Sequence, residues 1–299
     1  MVPPGDVTAV VNVGDDLVLH GLHISPDLDT VTYTLAGAIN PETGWGLAGE
    51  TWQAMASLEH YGGLSWFRLG DRDLGTHLYR TQRLAEGASL STVTREIARA
   101  WKLDLQLLPA TDDAVRTMVT VEGEGEIGFQ DYFVGRQHSV AVTSVRFDGA
   151  NEAKPAPGVL DAIGDADVVV IAPSNPIVSI GPVLAIDGVR AAMVARRARN
   201  VAVSPIVAGA ALKGPADRML RELGHEPSVV GVAKLYADLA SVLVVDEADA
   251  ALASEVEAAG MACLVVPTVM SSPEVAASLA RATIDAVASG QGPLAKDHG

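Results

Sequence analysis

The second half of the chain contains four short, continuous apolar runs that are rich in valine. They are DVVVIAP (167–173), NVAVSP (200–205), SVLVVD (241–246) and ACLVVP (262–267), and each precedes a polar or Gly/Pro break and a stretch with helical spacing. Short apolar runs that alternate with helices are typical of βαβ units. The pattern predicts an α/β fold with a Rossmann-like parallel sheet flanked by helices.

The first half of the chain has a different pattern. VTAVVNV at 7–13 predicts another buried strand, and helical stretches are expected at about 47–61 and 90–102. Three strand-like runs follow, separated by Gly-containing connections that suit hairpins: RTMVTVEG, EIGFQDYFV and VAVTSVRF. These runs predict a small antiparallel sheet.

Together, the two halves predict a single domain over residues 1–299. We expect a Rossmann-like core at about 1–40 and 155–290, with a small helical and antiparallel-strand insertion at about 41–154. The residues from Gly290 onward have the composition of a loose tail.

Composition excludes several classes of function. A formal net charge of −16 argues against binding DNA or RNA through their phosphates. No apolar stretch reaches the roughly 18 residues of a membrane span, and the start of the chain lacks the pattern of a secretory signal. We therefore expect a cytoplasmic protein that binds neither nucleic acid nor membrane. The single cysteine, Cys263, lies in an apolar run and is expected to be a buried small hydrophobe.

Two acidic segments follow each other near the start of the chain. NVGDD places Asn12, Asp15 and Asp16 at the carboxyl end of the predicted strand, where ligands bind in open parallel sheets. SPDLDT places Asp27 and Asp29 one residue apart. Carboxylates this close repel one another unless a cation or a substrate donor compensates, and hard oxygen ligands suit Mg²⁺. The alternative is that these aspartates are turn and cap residues that face water.

A second polar segment, WFRLGDRDLGTH at 66–77, combines both signs of charge with two glycines; its polar residues are Arg68, Asp71, Arg72, Asp73 and His77. It is either a solvated surface network or a set of donors and acceptors for a polar ligand. His77 is expected near the start of a helix, as a proton carrier or a cap. Arg80 and Arg83 are expected on the surface of that helix.

The loop APSNPIVSIGP at 172–182 follows a buried strand and opens toward a helix. Such a strand–loop–helix junction presents free backbone N–H groups that can hold a phosphate, although the P-loop pattern is absent. The alternative is an ordinary connection between a strand and a helix.

Several long motifs resemble the 2-phospho-L-lactate transferase family of coenzyme F-420 biosynthesis. They are NVGDD, SPDLDTVTYTLAG, LGDRDLGTH, FQDYFVG, APSNPIVSIGP and AVSPIVAGAALKGPADRM, which occur in the family's order from about Val7 to at least Val266. The Ala- and Val-rich composition is similar to that of the actinobacterial branch, whose enzymes use phosphoenolpyruvate-derived donors.

The resemblance implies an enzyme that transfers a phosphoenolpyruvyl or 2-phospho-L-lactyl group to the deazaflavin Fo. The donor would be a guanosine diphosphate ester, GMP would leave, and the products would include (dehydro) coenzyme F-420-0. The family uses Mg²⁺ as its cofactor and forms homodimers. Its Fo-contacting positions correspond to Asp29 and Arg68, and the guanosine-phosphate contact to Ser174 and Asn175.

From the motifs and the resemblance together we assign candidate roles. The catalytic candidates are Asp29 and Asp16, with Asp29 expected to accept the proton of the attacking hydroxyl. The candidate metal ligands are Asp15, Asp16 and Asp29, whereas Asp27 is expected to be structural. The candidate substrate-binding residues are Asn12, Asp29, Arg68, Asp71, Arg72, Asp73, His77, Ser174 and Asn175.

One departure from the family pattern bears on activity. Family members usually have a strand and a Gly-rich turn of the kind GGxGG about 25 residues before NVGDD, and this sequence begins at MVPPGD. Two further readings therefore stay open. One is a non-catalytic nucleotide-sugar-binding regulatory protein of the related superfamily, and the other is a structural homologue without activity.

Overall fold

The computed structural model describes residues 2–288, and the tail predicted from Gly290 lies outside them. The chain divides into two compact units. The N-terminal unit comprises residues 2–159 and 185–187, and the C-terminal unit comprises residues 160–184 and those from 188 onward.

The described residues form eleven α-helices and thirteen strands. The helices α1 to α11 are Pro26–Leu35, Gln53–His60, Asp73–Ala85, Leu90–Ala100, Val159–Asp165, Gly181–Ala185, Val189–Ala195, Ala216–Glu222, Val229–Tyr236, Ala253–Ala258 and Pro273–Ala288. The strands β1 to β13 are Thr8–Val11, Leu17–Leu19, Leu22–Ile24, Gln106–Pro109, Arg116–Val121, Gly125–Gly128, Val142–Asp148, Val169–Ile171, Asn200–Val203, Ile206–Val207, Ala210–Ala211, Val242–Val245 and Ala262–Val265.

The C-terminal unit contains the parallel sheet that the valine-rich runs predict. Its strand order is β13–β12–β9–β8, and all three pairings are parallel. The strands β9 and β12 are buried along their whole length. Val201 and Val244 are completely buried and belong to a cluster that includes Leu279 of α11. The α/β fold, with parallel strands flanked by helices, is therefore confirmed.

One pairing in the N-terminal unit joins the two regions that we expected to be core and insertion. β1 pairs in parallel with β4, which lies inside the segment that we expected to be an insertion. β1 is also less buried than predicted, since only Val11 is fully enclosed. Residues 2–40 thus cluster with residues 41–159. The proposed division of a single domain into core and insertion stays a prediction.

The antiparallel sheet of the N-terminal unit has the order β6–β5–β7, and it is built from the three predicted runs. The second run is a strand only over Gly125–Gly128, and Asp131–Gly135 turns as a short π-helix. The predicted helix at 90–102 is confirmed as α4, with Val93 and Ile97 buried against the unit's core.

A β-hairpin separates the two acidic segments of the N-terminal unit. β2 and β3 pair antiparallel, with Leu17 opposite Ile24. The turn residues His20 and Gly21 both have positive φ, at 54° and 76°, as a tight hairpin turn requires. The hairpin reverses the chain and returns the start of α1 to the turn that follows β1.

No single helix among residues 2–288 is both long and apolar enough to cross a membrane. The segments Pro176–Ala185 and Val189–Ala195 pass that test only as a bent pair.

Candidate active site

The first acidic segment forms a tight turn at the carboxyl end of β1. The side-chain oxygen of Asn12 accepts a hydrogen bond from the backbone of Gly14 at 2.8 Å, and Asp16 N–H bonds Val13 C=O at 3.1 Å. Thr117 of β5 donates its backbone N–H to Gly14 C=O at 2.6 Å. The turn is therefore held from within and by the neighbouring sheet, with Asn12 and Asp15 buried.

The second acidic segment forms the first turn of α1, which has Pro26 at its start. Two neutral donors connect it to the first segment. Asn12 Nδ2 donates to Asp27 Oδ2 at 2.8 Å, and Ser25 Oγ donates to Asp16 Oδ2 at 2.7 Å. The structure thus brings the two acidic segments together, as their positions along the chain predict. Asp27, which we expected to be structural, accepts the bond from Asn12.

Burial dominates the electrostatics of this acidic cluster, which comprises Asp15, Asp16 and Asp27. Removal from water raises the pKa of Asp16 to about 8, and the Ser25 hydrogen bond opposes this only in part. The pKa of Asp15 is raised well above its ordinary value by burial and by the charges of Asp27 and Asp16, and burial also raises the pKa of Asp27. Each of these carboxylates therefore holds its proton unusually well.

The acidic cluster also contains buried oxygens without partners. Asp15 Oδ1 and Asp16 Oδ1 accept no hydrogen bond from any described residue. Buried polar atoms in folded proteins are nearly always paired, so such atoms need an explanation. Buried carboxylate oxygens without a donor suit a hard divalent cation such as Mg²⁺.

Asp29 has a different environment from the other three aspartates. Both of its oxygens accept from the guanidinium of Arg80, whose Nη1 lies 3.1 Å from Asp29 Oδ2. The Arg80 side chain is 2% exposed, so the expectation of a surface arginine is wrong. Burial would lower the pKa of Arg80, but the charge and hydrogen bonds of Asp29 outweigh it and raise the pKa. The pair satisfies both oxygens of Asp29, whereas Arg80 Nε has no partner among the described residues.

Helix α3 supplies the remaining members of this buried network. His77 Nδ1 lies 3.6 Å from Asp29 Oδ2, and its Nε2 lies 3.3 Å from Asp73 Oδ2. Tyr33 of α1 donates its hydroxyl to Asp73 Oδ1 at 2.5 Å. Burial would raise the pKa of Asp73, but its contacts with His77, Tyr33 and Arg80 together outweigh burial, so the pKa is lowered. His77 thus lies in the second turn of α3, and its ring is between the carboxylates of Asp29 and Asp73.

Asp29, Asp73 and His77 offer ligand atoms that all lie within 4.8 Å of one another. Arg80 and Tyr33, however, already occupy oxygens of both carboxylates. Asp15 and Asp16, which each keep an unpartnered oxygen, are therefore the better candidates to hold a cation. Asp29, the third candidate ligand, would have to exchange an Arg80 contact for the metal.

The structure gives Asp71 a capping contact. Its carboxylate accepts from Thr51 Oγ1 and from the backbone N–H groups of Gln53 and Ala54, both at 3.0 Å. These bonds lower the pKa of Asp71 and satisfy free donors at the start of α2. Such contacts support the local fold, and binding of substrate by Asp71 stays a prediction.

The two arginines of this segment lie on the surface of the N-terminal unit. Arg72 donates its guanidinium to Ala48 C=O and its backbone N–H to Glu50. Arg68 is exposed, and its guanidinium stacks 4.5 Å above the ring of Trp52. Arg68 thus keeps its donor edges available, consistent with the predicted contact to a polar or aromatic ligand.

Ser174 and Asn175 lie in the C-terminal unit, at the predicted loop after β8. Asn175 Oδ1 accepts from the backbone of Ile177 at 2.9 Å and of Val178 at 3.4 Å, so it caps the following helical turn. Asn175 Nδ2 faces Met219 Sδ at 3.6 Å. The loop therefore offers fewer free N–H donors for a phosphate than expected, because its own side chain takes two of them.

Sequence reasoning missed Arg80, Ser25 and Tyr33. A signal for Arg80 was present, since Asp73, His77 and Arg80 recur at i, i+4 and i+7 and so share one face of a helix. Three ionisable residues on one face, beside an acidic segment elsewhere in the chain, could have indicated a buried network.

Comparisons with known proteins show which family the chain resembles. The sequence profile of the family described as 2-phospho-L-lactate transferase CofD matches residues 3–269. The chain is 46% identical to a phosphoenolpyruvate transferase of Streptomyces griseus, over 95% of this chain and 91% of that protein. It is 42% identical to one of Mycolicibacterium smegmatis, over 94% and 88%.

Solved structures agree on the fold. Two crystal structures of one Bacillus halodurans protein, a member of the UPF0052 family, have TM-scores of 0.59 and 0.58 at 18% and 17% identity. Each alignment covers 93% of this chain and 91% of that protein. At this level of identity the likeness shows a shared fold alone. The profile match over most of the chain and the identity to the Streptomyces and Mycolicibacterium proteins show more: the chain belongs to the 2-phospho-L-lactate transferase CofD family.

Proposed function

We propose that this protein transfers a phosphoenolpyruvyl, or 2-phospho-L-lactyl, group from a guanosine diphosphate-linked donor to the deazaflavin Fo. Family membership and the names of the relatives support a transferase that handles such a group. The observation that carries the proposal is the acidic cluster after β1, in which two buried carboxylate oxygens have no partner. The sequence motifs and the actinobacterial relatives favour the enolpyruvyl donor.

The reaction exchanges one phosphorus–oxygen bond for another. The terminal ribityl hydroxyl of Fo attacks the phosphorus that carries the organic acid, the bond from that phosphorus to GMP breaks, and GMP leaves with the electron pair. Bound Mg²⁺ would neutralise charge on the non-bridging phosphate oxygens. Asp15 and Asp16 would hold the ion through their unpartnered oxygens, with Asp29 as a third candidate.

The chain's own residues would supply alignment and a proton acceptor. With Oδ1 toward the ion, Asp16 would accept the proton at Oδ2 in its ionised form, which the neighbouring cation favours against the burial that raises its pKa. The sequence favours Asp29 for this role, but both of its oxygens accept from Arg80. We therefore assign proton acceptance to Asp16 and keep Asp29, together with Arg68, as the candidate contact to Fo.

An assay of GMP release tests the proposal. The protein is incubated with Fo, Mg²⁺ and the enolpyruvyl guanosine donor, and in parallel with the lactyl donor, and GMP is measured by chromatography. We expect GMP and (dehydro) F-420-0 to form together with one donor preferred. Absence of GMP with either donor, while the protein still binds guanosine nucleotide, would instead support the non-catalytic binding protein.

A matched pair of variants connects that activity to the acidic cluster. Asp16→Asn should lose at least about 100-fold in kcat, since general-base catalysis typically contributes about 10²–10⁴-fold. Asp104→Asn makes the same chemical change at an exposed position of the same unit and should keep wild-type kcat. Equal rates in the two variants would remove Asp16 from the mechanism.

A further inference from the structure

Ser25 occupies the position of a helix N-cap but does not cap the helix. Its carbonyl accepts the backbone N–H of Asp29 at 3.0 Å, as the residue before α1 should. A serine followed by Pro-Asp normally accepts a backbone N–H with its hydroxyl. Here the side chain makes no capping bond, and it donates to Asp16 Oδ2 at 2.7 Å instead. Ser25 is only 1% exposed, and Asp16 is the partner of its hydroxyl.

The contact determines which oxygen of Asp16 stays free. Rotation of a carboxylate about its last torsion is soft, so an unrestrained group can present either oxygen. The Ser25 hydroxyl occupies Oδ2, and Oδ1 is the buried atom without a partner. Asn12 acts similarly on Asp27, where it occupies one oxygen. The chain therefore uses neutral donors, Ser25 and Asn12, to orient these carboxylates.

We infer that Ser25 is a positioning residue, whose hydroxyl orients Asp16 so that Oδ1 faces the proposed cation. This inference rests on the proposed Mg²⁺ site. Carboxylates that ligate metals are commonly held by such hydrogen bonds, and losing one weakens metal affinity by about 10–100-fold.

Calorimetric titration of the purified protein with MgCl₂, without substrate, tests the inference. Ser25→Ala should weaken Mg²⁺ binding by about 10–100-fold. Its melting temperature should also fall, because Asp16 Oδ2 loses its donor, so the dissociation constant is measured at a temperature where the variant is folded. Ser25→Thr keeps a hydroxyl donor and should restore most of the affinity. Ser25→Gly also lacks the hydroxyl, and glycine is tolerated at N-caps, so it provides a second variant should Ser25→Ala fold poorly.

Ser89 provides the matched control. It precedes α4 in the same unit, and its hydroxyl does accept the backbone N–H of Thr92, at 3.3 Å. Ser89→Ala should lower the melting temperature through the lost cap and leave the Mg²⁺ dissociation constant unchanged.

The outcomes of this titration test the proposed Mg²⁺ site and the role of Ser25 separately. If wild-type protein does not bind Mg²⁺, the proposed metal site fails and this inference fails with it. If wild-type protein binds Mg²⁺ and the folded Ser25→Ala and Ser25→Gly variants bind it equally well, only the role of Ser25 is overturned.

Discussion

Removal of the Arg80 guanidinium tests how much the N-terminal unit depends on its buried ion pair. Arg80 donates to both oxygens of Asp29, and the two side chains are 2% and 7% exposed. A hydrogen bond to a charged group contributes about 1.5–3 kcal/mol, and breaking a buried pair costs about 3–5 kcal/mol because the remaining charge loses its partner. Arg80→Met should therefore lower the free energy of unfolding by about 3–5 kcal/mol.

The double variant isolates the interaction. Asp29→Asn alone leaves the arginine without its counter-charge, whereas Arg80→Met with Asp29→Asn removes both charges. The double variant should be more stable than the sum of the single changes predicts, by about 2–3 kcal/mol.

Urea unfolding followed by tryptophan fluorescence is the suitable assay. The four tryptophans, at positions 45, 52, 66 and 101, all belong to the N-terminal unit, so the signal reports on the unit that contains the pair. Arg83→Met is the control on the same helix, since Arg83 is 29% exposed and its partners are surface glutamates. It should change stability little. Additivity of the two single variants to within about 0.5 kcal/mol would refute the assigned coupling.

Two further stability predictions follow. The folded pKa of Asp16 is raised to about 8, so the folded state holds this proton more tightly than the unfolded state. The melting temperature in EDTA should therefore fall as pH rises from about 5 to about 8, and the fall should be smaller in Asp16→Asn. Identical slopes of melting temperature against pH in the wild type and the variant would contradict this prediction. Gly149 has φ +79°, and an added Cβ would lie 2.3 Å from Ala114 O. Gly149→Ala should lose more than about 1 kcal/mol. Gly87→Ala, at φ +90° with no atom within 4 Å, should lose less, and equal urea midpoints would contradict the steric argument.

The local features of this fold could be predicted because they depend on short-range patterns. Continuous valine-rich runs predicted β8, β9, β12 and β13, and helical spacing predicted α4. The three runs of the antiparallel sheet were recognised in the same way. Hydrophobic period and turn residues are encoded within about ten residues, so one sequence is enough to detect them.

The acidic segments were also found from the sequence, but their division into roles was not. The sequence alone does not separate the roles of the four aspartates at positions 15, 16, 27 and 29. Their neighbours in the folded chain do. Asp29 pairs with an arginine 51 positions away, whereas Asp15 and Asp16 keep unpartnered oxygens.

Tertiary structure decided the rest, because desolvation and partner choice depend on segments that are distant in the chain. The β2–β3 hairpin places Ser25 against Asp16, and this contact diverts the hydroxyl from the cap that its local sequence predicts. Burial makes Arg80 part of an internal network, while Arg83, three residues later, stays partly in solvent. The sequence by itself determined which residues carry charge near the end of β1, and only the folded chain decided which of those charges are paired, and which remain to bind a ligand.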